Sequence, residues 1–136
     1  MTDEVLYQMA REAQKLSYAP YSGFNVGAAL LTRDGKVYTG CNIENASFSP
    51  TVCAERVAFF KAVSSGEKAF SAIAIAGGKA FLESERTLSP CGVCRQVMSE
   101  FCGPDFRVIL KDPDLGMASY TLLQLFPLGF SPKNLG

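Results

Sequence analysis

Two short pieces constrain this chain more than anything else in it: Cys53-Ala54-Glu55 and Pro90-Cys91-Gly92-Val93-Cys94. They offer three thiols and one carboxylate, and together they read as one zinc site. A structural zinc is normally closed by four protein ligands, whereas a catalytic zinc has three and keeps its fourth position for water or substrate. Three cysteines hold the metal in the second pattern. The extra carboxylate fits a proton carrier beside that water.

The composition narrows the chemistry further. The chain has no histidine, so Ser-His-Asp and Cys-His catalysis are excluded and imidazole is no ligand. Proton transfer near neutral pH falls to a carboxylate, a thiol or a metal-activated water. Thirteen basic and thirteen acidic residues give no basic face of the kind that phosphate binding needs, so a small neutral substrate is expected rather than a nucleic acid. Hydrophobic residues make up 48% of 136, enough for a core, and one domain over residues 1–136 is expected. No apolar run approaches the ~18 residues that cross a membrane. The acidic start, Met1-Thr2-Asp3-Glu4, lacks the basic and apolar regions of a secretory signal, so the default location is cytoplasmic. Five cysteines in such a setting point to metal binding or buried thiols rather than disulfides.

Val5, Leu6, Met9, Ala10, Ala13 and Leu16 recur at helical spacing, which predicts a helix over 3–16. Phe24 to Leu31 and Lys36 to Asn42 read as strands joined by an Asp34-Gly35 turn. Thr51 is the expected N-cap of a helix over 53–63. Phe70 to Ala76 reads as a central strand, 77–89 as a surface connection, and Pro90 as the start of a helix to Phe101. Strands over 106–110 and 117–121 and a short helix over 122–126 follow. The order αββαβαββα, with strand, helix, strand across 70–110, predicts a parallel crossover. The fold class is α/β: a three-layer α/β/α sandwich with a mixed five-stranded sheet.

Both cysteine pieces fall at helix beginnings, where free N–H groups and the helix dipole favour thiolates. Cys91 and Cys94, three apart, share a side of one turn. Zinc with three thiolates carries net −1, so something positive should offset it. Arg56 and Arg95 are the candidates, each donating to thiolate sulfur. Other readings stay open on the residues alone. Cys91 and Cys94 also fit a redox pair, and Cys102 or Cys41 fits a fourth ligand of a structural zinc. Glu55 also fits a first-turn helix acid, Asn42 and Glu44 a polar loop, and Phe24 a strand-start core residue.

Cys53-Ala54-Glu55-Arg56 with Pro90-Cys91-Gly92-Val93-Cys94-Arg95-Gln96 closely resembles the nucleoside cytidine deaminases, a zinc deaminase family. The resemblance runs from Ala19-Pro20-Tyr21-Ser22 through Gly40-Cys41-Asn42-Ile43-Glu44-Asn45 to Phe130. It implies one zinc per chain on Cys53, Cys91 and Cys94, with Glu55 as the proton carrier. It implies hydrolytic deamination of cytidine and 2′-deoxycytidine to uridine and 2′-deoxyuridine, a step of pyrimidine salvage. Asn42 and Glu44 match its sugar-binding pair, and Phe24 its aromatic against the pyrimidine. The backbone of Ala54 and Ser89 fixes the base edge in that family. Phe130 resembles a phenylalanine that enters a neighbouring subunit's site in a homotetramer. Phe48 departs from the tyrosine many relatives carry. The alternatives are a deaminase of another cytosine-like aminopyrimidine and a non-catalytic zinc module, which would need no Glu55.

Overall fold

The computed structural model describes every residue, Met1–Gly136. Its elements are α1 (Asp3–Gln14), β1 (Phe24–Thr32), β2 (Val37–Cys41), α2 (Ala54–Ser64), β3 (Phe70–Lys79), α3 (Gly92–Phe101), β4 (Arg107–Asp112), β5 (Gly116–Thr121) and α4 (Leu122–Leu125). A 3-10 turn over Pro132–Leu135 closes the chain. The five strands form one sheet in the order β2-β1-β3-β4-β5. β1 runs antiparallel to both β2 and β3, β3 and β4 are parallel, and β4 and β5 are antiparallel. The expected mixed sheet and its parallel crossover are both present.

The layers follow from a period of two on β3. Ala72, Ala74 and Ala76 face α1, where they pack with Leu6, Tyr7 and Ala10. Ile73 and Ile75 face the other way and join Ala58 and Phe59 of α2 and Met98 of α3. One helix thus covers one face, and α2 and α3 cover the other. The small residues on the α1 side let helix and sheet come close. A Cβ at Gly27 of β1 would stand 2.1 Å from the Ala10 carbonyl oxygen and 2.4 Å from the Gln14 nitrogen. Gly40 of β2 does the same for α2, where a Cβ would stand 2.5 Å from the Ala54 carbonyl oxygen. That contact fixes the first turn of α2 over the sheet.

Several boundaries differ from the sequence reading. Cys53, not Thr51, is the N-cap residue of α2; the Thr51 hydroxyl accepts from the Asn45 N–H instead, at 3.0 Å. Cys91 is the N-cap residue of α3, so Pro90 stands one residue outside the helix rather than beginning it. α1 stops at Gln14. β3 continues to Lys79 through Gly77 and Gly78, which the sequence places in a surface connection. They pair with Val26 and Asn25, and their missing side chains leave room for the next loop. A Cβ at Gly78 would lie 2.3 Å from the Leu82 carbonyl oxygen. The Pro132–Leu135 turn was not anticipated; a Ser131–Asn134 capping box holds it.

Gly27→Ala drives a methyl into the α1 backbone and should destabilise the fold by about 3 kcal/mol, on the order of 10 °C in Tm. Gly92→Ala, with open space around its Cβ position, should leave Tm within a few degrees in the same thermal melt.

Candidate metal centre

Cys53 and Cys91 occupy equivalent places, each the extended N-cap residue of a helix, and neither side chain caps its own helix. An ordinary N-cap oxygen turns in to accept from the helix N–H groups. Here both sulfurs turn toward each other instead. Cys53 Sγ and Cys91 Sγ are 3.7 Å apart, and Cys91 Sγ and Cys94 Sγ are 3.6 Å apart. All three sulfurs lie within 4.8 Å of one another, with no fourth histidine, cysteine or carboxylate in the group. Zinc–sulfur bonds of ~2.3 Å in a tetrahedron put neighbouring sulfurs ~3.8 Å apart, so the residues fit that metal. Cys41 and Cys102 stand outside the cluster. Burial pushes the Cys102 thiol up to about 12 and raises Cys41 as well, which suits inert thiols.

The positive groups divide between two jobs. The Arg56 guanidinium donates through Nη2 to Cys53 Sγ at 3.5 Å, and its buried Nε has no partner. Cys53 is drawn down to about 5, first by the neighbouring Cys94 thiol and then by Arg56. Cys94, as the donor in that pair and buried, is held above the usual thiol range. Arg95 does not serve sulfur, contrary to the expectation from sequence. Its Nε donates to the Pro90 carbonyl at 2.7 Å and its Nη2 to the Ser89 hydroxyl at 3.2 Å, while Nη1 reaches the Leu125 carbonyl. Three carbonyl and hydroxyl oxygens occupy this guanidinium, one on each nitrogen.

Glu55 follows Ala54 in the first turn of α2 and is only 4% exposed. Burial raises its carboxyl to about 7. It lines a cavity of about 240 Å³ that Cys53 and Cys91 also line. Of the residues singled out in the sequence, Phe24, Asn42, Ala54 and Ser89 stand on the wall of the same cavity. Glu44 is not on that wall. Its carboxylate accepts from the Tyr21 and Ser22 N–H groups at 3.0 and 3.1 Å and from the Ser22 hydroxyl, and the hydroxyl foremost holds it below the usual carboxylate range. Phe130 also lies outside the cavity. Its carbonyl accepts from Gln96 Nε2 at 2.9 Å and Ser99 Oγ at 3.0 Å, and its side chain is exposed. Phe48 is exposed too, edge-on to the Tyr21 ring. Val26, Thr51, Val52, Ile75 and Leu88 complete the wall and were not foreseen. Val26 alone carried a signal, since it is two residues from Phe24 on a strand; Leu88 and Val52 come from irregular segments.

Residues 1–110 match the family model described as the cytidine and deoxycytidylate deaminase zinc-binding region. The chain is 45% identical to a cytidine deaminase of Sporosarcina psychrophila, over 99% of this chain and 96% of that one. It is 42% identical to a cytidine deaminase of Halalkalibacterium halodurans, over 99% and 98%. The crystal structure of cytidine deaminase from Burkholderia pseudomallei superposes with a TM-score of 0.86 at 43% identity, covering 96% of this chain and all of that one.

Arg56→Gln should weaken zinc binding by about 10- to 100-fold, because it removes the cation that the thiolates share. Arg95→Gln should leave zinc affinity where it is. Competition against a chromogenic chelator reads both, and equal losses in the two variants would contradict this division.

Proposed function

The chain belongs to the cytidine and deoxycytidylate deaminase zinc-binding family and is an enzyme that deaminates cytidine, and from that premise we propose what its own residues contribute. The observation that carries the proposal is Glu55 on the wall of the cavity that two of the three clustered sulfurs border. Cys53, Cys91 and Cys94 hold one zinc, which so held supplies a Lewis acid that makes water a nucleophile near neutral pH.

Glu55 takes the proton that the attacking water gives up and passes it to N3 of the cytosine ring. C4 then accepts the water oxygen and becomes tetrahedral. Glu55 moves the second water proton to the amino nitrogen, the C4–N bond breaks, and ammonia leaves. Cytidine and water thereby become uridine and ammonia. The burial of Glu55 supports the role, since a dry carboxyl has no bulk water competing for its proton. Phe24 packs against the ring, and the Ala54 and Ser89 backbones hold the base edge; all three line the cavity. Asn42 and Glu44 bind the sugar 3′-hydroxyl, which 2′-deoxycytidine shares, so both nucleosides are substrates.

The reading extends to assembly. Phe130 enters the site of a neighbouring copy in a homotetramer; its exposed ring on an anchored backbone supports this. One domain spans 1–136, since both cores share one sheet, and a cytoplasmic setting suits five free cysteines.

Glu55→Gln should keep one zinc per chain and lose about 10² to 10⁴ in kcat, read from the fall in cytidine absorbance; a variant that turns over like the parent ends the proton-carrier role. Light scattering on the eluting protein should give four chains per particle. An active monomer would remove Phe130 from the site.

A further inference from the structure

Beside the cavity runs a line of side-chain hydrogen bonds that the deamination chemistry does not use. Asn42 lines the cavity. Its Oδ1 accepts from the Val26 N–H at 2.8 Å and from the Ser17 hydroxyl at 2.5 Å, and its Nδ2 donates to the Phe24 carbonyl at 2.8 Å. The two backbone partners fix which way the amide points, because an N–H only donates and a carbonyl only accepts. Asn25, 4% exposed on β1, is fixed in the same manner. Its Oδ1 accepts from the Phe81 N–H at 3.1 Å, which leaves Nδ2 to donate to Ser17 Oγ at 3.1 Å. Ser17 is therefore an acceptor toward Asn25, and its own proton goes to Asn42.

The polarity of Asn42 follows. Both lone pairs of Oδ1 are filled, and one Nδ2 hydrogen belongs to Phe24. The second Nδ2 hydrogen is the amide's one free function, so Asn42 meets a ligand as a donor only. A hydroxyl that accepts this hydrogen must turn its own proton elsewhere. Without the Ser17 hydroxyl, Oδ1 regains a lone pair facing the gap and Asn25 Nδ2 loses its acceptor. The amide then has two bonds in place of three, and its orientation rests on the backbone alone.

We infer that Ser17, itself oriented by Asn25, is a positioning residue that locks Asn42 as a donor to a hydroxyl of the substrate's sugar. The inference rests on the reading of Asn42 as a sugar-binding residue given above. Ser17 touches no substrate itself; it acts through the amide. Its consequence is selectivity for a nucleoside that carries the hydroxyl over one that lacks it.

The test is steady-state kinetics on the zinc-loaded full chain with cytidine and 3′-deoxycytidine, for the parent, Ser17→Ala and Ser17→Thr. The parent should show the lower KM for cytidine. Ser17→Ala should raise KM for cytidine by about 3- to 10-fold, the worth of one hydrogen bond, with kcat and KM for 3′-deoxycytidine within about twofold and zinc at one per chain. Ser17→Thr, which keeps a hydroxyl, should behave as the parent. An unchanged KM for cytidine in Ser17→Ala overturns the inference, as does an equal rise for both nucleosides or a threonine variant that matches the alanine one. A parent that treats the two nucleosides alike instead overturns the sugar role of Asn42.

Discussion

Three sulfur atoms held within 4.8 Å of one another repel once they ionise, and the arrangement around them answers that repulsion. Two helix N-termini point at the cluster, each with its free N–H groups and partial positive charge. Arg56 adds a full positive charge at 3.5 Å from Cys53. Zinc supplies the rest, and its binding energy becomes folding energy for the segments that carry the ligands. The N-cap position serves this purpose well. A cysteine there lies outside the helical backbone, so its sulfur can swing across to the other helix rather than cap the N–H groups behind it.

That convergence depends on where the two helices sit, and the sheet decides it. Gly40 lets the Ala54 turn of α2 rest almost on the β2 backbone, which places Cys53 and Glu55 at a fixed height. β3 places Ile75 so that it belongs to the core beneath α2 and also to the wall of the cavity. Site and core are thus built from the same side chains. A change in packing under α2 is transmitted to Glu55 because dense cores deform little.

Charged and polar residues around the cavity are used mainly to hold backbone. Arg95 ties Ser89 and Pro90, just ahead of Cys91, to Leu125 at the end of α4. The same helix α3 anchors the Phe130 carbonyl through Gln96 and Ser99. α3 therefore presents metal-binding sulfurs at one end of its first turn and braces the C-terminal segment with the residues that follow. Asn42, on the cavity wall, is held in turn by the hydroxyl of Ser17, which accepts from Asn25.

What the sequence determined by itself was whatever a local pattern carries. A short run rich in alanine and isoleucine marked Phe70–Ala76 as a central strand, and strand, helix, strand over 70–110 required the parallel pair. Three cysteines with a neighbouring glutamate, and no histidine, pointed to a zinc with an open position because thiolate softness and ligand count are properties of residue type, while the reaction itself came from the resemblance to the nucleoside cytidine deaminases. Tertiary structure alone decided where the long polar side chains point. Arg95 is next to a ligand in sequence, yet the Leu125 carbonyl is brought to it from thirty positions away by the fold. Thr51 is a fine cap by type, but the Asn45 N–H claims its hydroxyl. The Asn42 amide looked like a sugar contact, and only the fold reveals that three partners already hold it. A hydrogen bond goes to whichever complementary group the fold brings nearest, and for these residues those groups lie on segments that no sequence period connects.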